Sequence, residues 1–179
     1  MTGSRGVQIG KWLVLASAAA VLFAVIGPRT GGTPGHVKPV SARQPMNDFS
    51  LRDLSGGRWT LSAHRGQVVL VNFWATWCAP CREETPGLIR LAKDYRSRGL
   101  SVAGITQDDN PAAVVPAFIR NYGVIYPVLL PDSTFVLGNE IDSLPTTFLI
   151  DRQGRVAKTY VGSVSESVFR ADVGLLLGE

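Results

Sequence analysis

The sequence predicts an α/β fold in which a mixed central sheet is flanked by helices, and three observations lead there. Residues 68–73 are apolar except for Asn72, the pattern of a strand buried on both faces. From there to residue 130, strand-like and helix-like runs alternate at the spacing of βαβ units, which implies parallel pairing. Residues 146–150 and 155–161 are separated only by Asp151-Arg152-Gln153-Gly154, and so short a connection forces an antiparallel hairpin.

In chain order, residues 1–11 form a short N-terminal tail and residues 12–27 hold WLVLASAAAVLFAVI, an almost wholly apolar run. It is long for a buried strand and short for a comfortable membrane span of ~17–25 residues, so it reads as a transmembrane anchor or a signal segment. Ser17 to Ala20 lie inside the run instead of just beyond it, which favours retention over cleavage. Basic residues flank both sides and leave the orientation open. Residues 28–46, rich in Gly and Pro, read as a flexible tether that as a coil would span about 25 Å. His36 within it is expected to be solvated.

The folded domain is expected over residues 47–179. It opens with a hairpin of residues 49–51 and 58–61 around Ser55-Gly56-Gly57. After the buried strand, Ala75 to Trp77 turn the chain, and Cys78 and Cys81 open an amphipathic helix. Its Leu88, Leu91, Ala92 and Tyr95 repeat at i, i+3, i+4 and i+7, and it ends at Gly99. Residues 100–106 read as a second buried strand, 111–122 as a helix kinked at Pro116, and 126–130 as a short strand. The last helix is expected over 163–177, with Ser163 and Glu166 spaced as a capping box.

Charge argues against a nucleic-acid partner, although the net value is +4. Five of the 18 basic residues and none of the 14 acidic ones fall in residues 1–43, so the remainder sets 13 basic against 14 acidic side chains and is nearly neutral. The 2 cysteines are Cys78 and Cys81, in a CxxC pattern that leaves no structural disulfide framework and no four-cysteine zinc site within one chain. The pair points to redox traffic.

Its position supplies the chemistry. A thiolate, not a thiol, attacks disulfides, and the free amides and partial positive charge of a helix N-terminus stabilise one there. Cys78 is therefore the expected nucleophile. Cys81, one turn along the same face, is placed to resolve a mixed disulfide formed at Cys78. Pro80 sits in the first helical turn, where its missing N–H has no intrahelical partner to lose. Trp77 can form an apolar rim for a partner; Trp74 reads equally well as core, and His64, in a polar turn, as structural.

The block NFWATWCAPCREETP at residues 72–86, supported by LPTTFLIDRQG at 144–154, resembles the thioredoxin superfamily, and within it the membrane-anchored or exported TlpA/ResA-like branch. The resemblance covers residues 49–177. It implies a thioredoxin-like three-layer fold with an N-terminal β-hairpin and a TlpA-type insertion between 108 and 142. It places a cis-proline at Pro145 beside the CxxC, with the Leu144 main chain free to pair with a client's backbone, and it makes Ala79 and Pro80 the residues that tune reduction potential. Asn72 stands where cytoplasmic relatives have a buried aspartate. Asn72 cannot take a proton from the resolving thiol and reads as a satisfied buried amide. Glu84, three residues after Cys81 and matched by a glutamate in relatives, is the candidate proton carrier; the alternative is a solvated side chain like Glu83. Pro86 matches a helix-kinking proline.

The resemblance implies a thiol–disulfide oxidoreductase facing an extracytoplasmic compartment, periplasmic or on the outer face, anchored or exported in soluble form. It would reduce specific protein clients, apocytochrome c before haem attachment or the copper-site cysteines of oxidases, and be recharged by a reducing partner in the membrane. No cofactor is expected beyond the redox-active Cys78–Cys81 pair. A peroxiredoxin-like peroxidase is the nearest rival, but its PxxxTxxC pattern is missing, since Val71 and Ala75 occupy the Pro and Thr positions. A Cu(I)-handling module is a further alternative, with only His36 and His64 to add imidazole.

Overall fold

The computed structural model describes residues 34–132, 135 and 141–179. The expected N-terminal tail, the apolar segment and the start of the tether lie outside the described residues, as does part of the insertion. Among the described residues, no helix is long and apolar enough to cross a membrane.

One mixed sheet of eight strands organises the domain. In chain order these are β1 (Gln44–Pro45), β2 (Ser50–Asp53), β3 (Arg58–Thr60), β4 (Val68–Trp74), β5 (Leu100–Thr106), β6 (Val128–Leu130), β7 (Thr146–Ile150) and β8 (Arg155–Val161). Among the described residues three α-helices accompany them: α1 (Ala79–Tyr95), α2 (Pro111–Tyr122) and α3 (Glu166–Leu177). The strand order is β1-β8-β7-β4-β5-β6-β2-β3. β4 pairs in parallel with β5, from Val68 opposite Leu100 to Trp74 opposite Thr106, and antiparallel with β7. As expected, β7 and β8 form an antiparallel hairpin, and β2 and β3 another.

The sheet's centre explains the composition of β4, all seven residues of which are buried. Val68 and Leu70 pack with Leu88 and Leu91 of α1 and Phe169 and Val173 of α3. Val69, Val71 and Phe73, on the opposite face, pack with Trp59, Leu61, Phe135 and Ile150. A third cluster joins Trp74, Cys78 and Cys81 to Val115 and Phe118 of α2, so the reactive pair stands on a packed floor. The 7–8 turn needs Gly154, whose φ of +78° is left-handed and whose N–H closes the turn on Asp151 O at 2.8 Å.

Three expectations are corrected. The last helix starts at Glu166 with Ser165 as its cap residue, and Ser163 makes no capping box. The Glu166 carboxylate is instead held by Arg90 at 2.8 Å and Arg170 at 2.7 Å, which leaves it turned away from the backbone. The short strand begins at Val128 rather than residue 126, Tyr126 being buried in the core.

The third correction concerns residues 34–46, read as the end of a flexible tether: they lie on the domain. Gly35 N donates to Asp172 at 2.7 Å, Lys38 N to Ala157 O at 2.8 Å, and Gln44 and Pro45 pair with β8. Arg43 is buried, and its guanidinium bonds Asp151 at 3.1 Å and Glu179 at 2.6 Å. Burial works against the Asp151 charge, but bonds from the Arg155 N–H and from the Arg43 and Arg155 side chains outweigh it and hold the carboxyl below its ordinary range. Composition could not disclose these partners.

Candidate functional site

The site forms where β4 ends. Cys78 N donates to Ala75 O at 3.2 Å, closing a tight turn through Thr76 and Trp77, and Cys78 then caps α1. Its sulfur accepts the Cys81 N–H at 3.3 Å, the interaction that stabilises a thiolate once the pair is reduced. In the structure Cys78 and Cys81 are joined as a disulfide. Both are buried, at 5% and 2% exposure, so access is through the side that Cys78 presents to a groove.

That groove has a volume of about 480 Å³. Trp77, Ala79 and Pro80 line it beside Cys78, and Ile141 to Leu144 form the facing wall. Trp77 is 65% exposed, an indole held in water next to a reactive sulfur. Trp74, in contrast, is core and lies tilted against Phe118, ring centroids 4.6 Å apart. The Leu144-Pro145 peptide is cis, Leu144 reaches the Cys78 cluster, and Pro145 leads directly into β7 beside β4. The expected site residues Cys78, Ala79, Pro80, Trp77 and Leu144 are thus brought to one groove.

Glu84 lies on the inner side. It is 5% exposed, not solvated like Glu83. One oxygen accepts the Val164 N–H at 2.9 Å and the other accepts Asn72 Nδ2 at 3.2 Å. Burial pushes the carboxyl up to about 7, against those two bonds, which favour the anion. Asn72 also donates to Thr147 at 2.8 Å, so the amide read as a satisfied core residue is the post that holds Glu84. Buried Tyr126 feels the same carboxylate, and burial first and Glu84 second push its hydroxyl well above the usual range.

Sequence reasoning missed two residues at the turn. The Asp108 carboxylate accepts from Thr76 N at 3.0 Å and Thr76 Oγ1 at 2.6 Å, and Arg82 donates to the Thr76 carbonyl at 3.1 Å. Only an acid just past the end of the neighbouring parallel strand hinted at the first. His64 proves structural, stacked on Trp59 at 4.6 Å and bonded to Gln67 at 3.1 Å, and His36 is exposed. Among the described residues, no three His, Cys, Asp or Glu side chains are grouped to hold a metal ion.

Comparison with known proteins agrees with this geometry. The profile of the AhpC/TSA family matches residues 42–159. The thiol-disulfide oxidoreductase ResA of Bacillus subtilis is 36% identical over 138 residues, 76% of either chain. A solved thiol:disulfide interchange protein of the thioredoxin family from Chlorobium tepidum TLS superposes with a TM-score of 0.68 at 32% identity, covering 76% of this chain and 97% of that one. A secreted thiol-disulfide isomerase from Corynebacterium glutamicum gives a TM-score of 0.72 at 26% identity, covering 83% of this chain and 94% of that one.

Proposed function

Since the chain belongs to the AhpC/TSA family, as a ResA-like thiol–disulfide oxidoreductase with protein thiols as its clients, we propose that it works outside the cytoplasm as a reductant of specific protein disulfides. The observation that carries the dithiol–disulfide chemistry is Glu84, a buried carboxyl poised near neutrality one turn past Cys81. Completing a client's reduction requires Cys81 to lose a proton, and a group ionising near pH 7 is matched to take it.

The cycle then runs as follows. The Cys78 thiolate attacks one sulfur of a client disulfide lying in the groove; that S–S bond breaks and the client's other sulfur leaves as a thiolate. Trp77 and Leu144 hold the client's flanking residues while its backbone lies along the Leu144 main chain. Cys81 gives its proton to the ionised Glu84 and attacks the Cys78 sulfur. The mixed disulfide breaks, a second client thiolate departs, and two electrons have passed from enzyme to client. The Cys78–Cys81 disulfide of the structure corresponds to the end of that turnover.

The apolar run at residues 12–27 and the likeness to a secreted isomerase support an extracytoplasmic site, where disulfides form and a dedicated reductant has work. The clients proposed are apocytochrome c or oxidase copper-site proteins, with a membrane electron donor for recharging. The test is Cys81→Ser expressed in the native host, which leaves clients trapped on Cys78. Recovery of a haem-protein precursor or copper-site protein supports the proposal, and the absence of any adduct overturns the assignment of Cys78 as the attacking sulfur.

A further inference from the structure

Thr76, two residues before the nucleophile, is gripped by charge from two sides. The Asp108 carboxylate accepts its N–H (3.0 and 3.3 Å to the two oxygens) and its hydroxyl (2.6 Å), and also accepts the Thr106 hydroxyl at 2.7 Å. Arg82, from the first turn of α1, donates to the Thr76 carbonyl at 3.1 Å, while its own N–H bonds Cys78 O at 3.2 Å. One anion and one cation are therefore fixed against the turn that delivers the reactive sulfur. Asp108 is bonded to the turn two residues before Cys78 and Arg82 to the turn and to the Cys78 carbonyl, so both charges sit on the segment that carries the sulfur, where the screening length is about 8 Å at physiological salt.

We propose that Asp108 and Arg82 are opposed positioning residues that set how strongly reducing the Cys78–Cys81 pair is: the carboxylate disfavours the Cys78 thiolate and the guanidinium favours it. The inference rests on the reading of Cys78 as the attacking sulfur. Two-electron reduction of the disulfide yields a thiolate at Cys78 and a thiol at Cys81. Whatever stabilises that thiolate stabilises the reduced protein and makes it a weaker reductant. Among the described residues, the other titratable groups around the pair are Asp142 on the facing wall of the groove, exposed Asp109 beside Asp108, buried Glu84, and Tyr122 packed against the cysteine cluster. They are common to every protein compared below.

Two substitutions remove charge while keeping the contacts. In Asp108→Asn the amide oxygen, placed where Oδ2 stands, accepts from Thr76 N and the Thr106 hydroxyl, and the amide nitrogen donates to a Thr76 hydroxyl turned to accept. Arg82→Gln keeps a donor toward the Thr76 carbonyl. Wild type and both variants are equilibrated in glutathione buffers, the dithiol fraction is read by alkylation, and the Cys78 thiol is titrated by its ultraviolet absorbance. Asp108→Asn is expected to shift the equilibrium toward dithiol about threefold, the scale of a partly exposed charge, or about 14 mV, with a more acidic Cys78. Arg82→Gln is expected to shift both the other way by a similar factor. High salt should shrink both shifts.

Shifts of the same sign, or none in either variant, overturn the proposal and leave the clamp merely structural. Should Asp108→Asn not fold, Arg82→Gln decides alone, an unmoved equilibrium being fatal. A wild type that exchanges no thiols with a peptide disulfide would instead overturn the function proposed above, whereas normal exchange with unmoved equilibria sinks this inference only.

Discussion

Glu84→Gln should make the protein more stable and less active. In the unfolded chain this carboxyl ionises near 4.5, whereas in the fold it keeps its proton until about 7. Between those values the folded state binds a proton that the unfolded state has released, so its extra stability is complete below pH 4.5 and drains away as pH rises to 7. At about 1.4 kcal/mol per pH unit, the loss is roughly 3 kcal/mol. Glutamine removes it. Its oxygen can still accept from Val164 N, and an Asn72 amide turned over can accept from its nitrogen, so about 1 kcal/mol is set against the gain for imperfect bonding. At pH 8 the variant should be more stable by about 2 kcal/mol, or Tm higher by about 5 °C.

The assay is urea unfolding of both oxidised proteins from pH 4 to 8, with the difference between them plotted against pH. It should be flat near pH 4, grow through pH 5–7 and level off above. In single turnover, alkylation of Cys78 should be unchanged while resolution by Cys81 slows about 100-fold and loses its dependence on a group near pH 7. Parallel stability profiles in the two proteins would refute the reasoning, because the group titrating in that window would then lie elsewhere.

Three further outcomes follow from the contacts described. Arg43→Ala strips buried Asp151 of a buried counter-charge and should cost roughly 3–5 kcal/mol in urea unfolding at pH 7; a loss under about 1 kcal/mol would mean that Arg155 satisfies Asp151 unaided. Gly104→Ala would set a Cβ 2.7 Å from Trp74 Nε1 and 3.3 Å from Tyr126 Cε2, so the indole must move. Destabilisation by about 1–3 kcal/mol with altered tryptophan fluorescence is expected, and an unchanged spectrum would contradict it. Trp77→Ala should leave stability within about 0.5 kcal/mol yet raise KM for a protein client about tenfold with kcat little changed. An equal fall in kcat would instead give Trp77 a part in the chemistry.

What could be read in the sequence was what is local. Cys78 and Cys81 lie 3 positions apart, and a helix start is written in neighbouring residues, so the disulfide-forming pair and its place at the helix start were visible. The parallel core likewise follows from runs of a few residues. Glu84 could be nominated from its spacing to Cys81, but its burial depends on Asn72, 12 positions away, and on Val164, 80 away. Asp108 reaches Thr76 across 32 positions, and Arg43 reaches Asp151 across 108. A polar residue's partners at such separations leave no periodic trace, so residues 34–46 passed for a free coil and Ser163 for a cap. Hydrophobic pattern locates a strand; it does not say which salt bridge crosses over it.

The bond between Arg43 and Glu179 gathers the incoming chain and the last residue onto the corner at Asp151. That corner adjoins the start of β4, and the sulfurs follow its far end, a rise of about 23 Å away. A bead, electrode or fusion partner attached at Glu179 would therefore hang from the rear of the domain and leave its working mouth unobstructed. Tension applied between Arg43 and Glu179 would load their bond first, shielding the disulfide from mechanical force until it gave way.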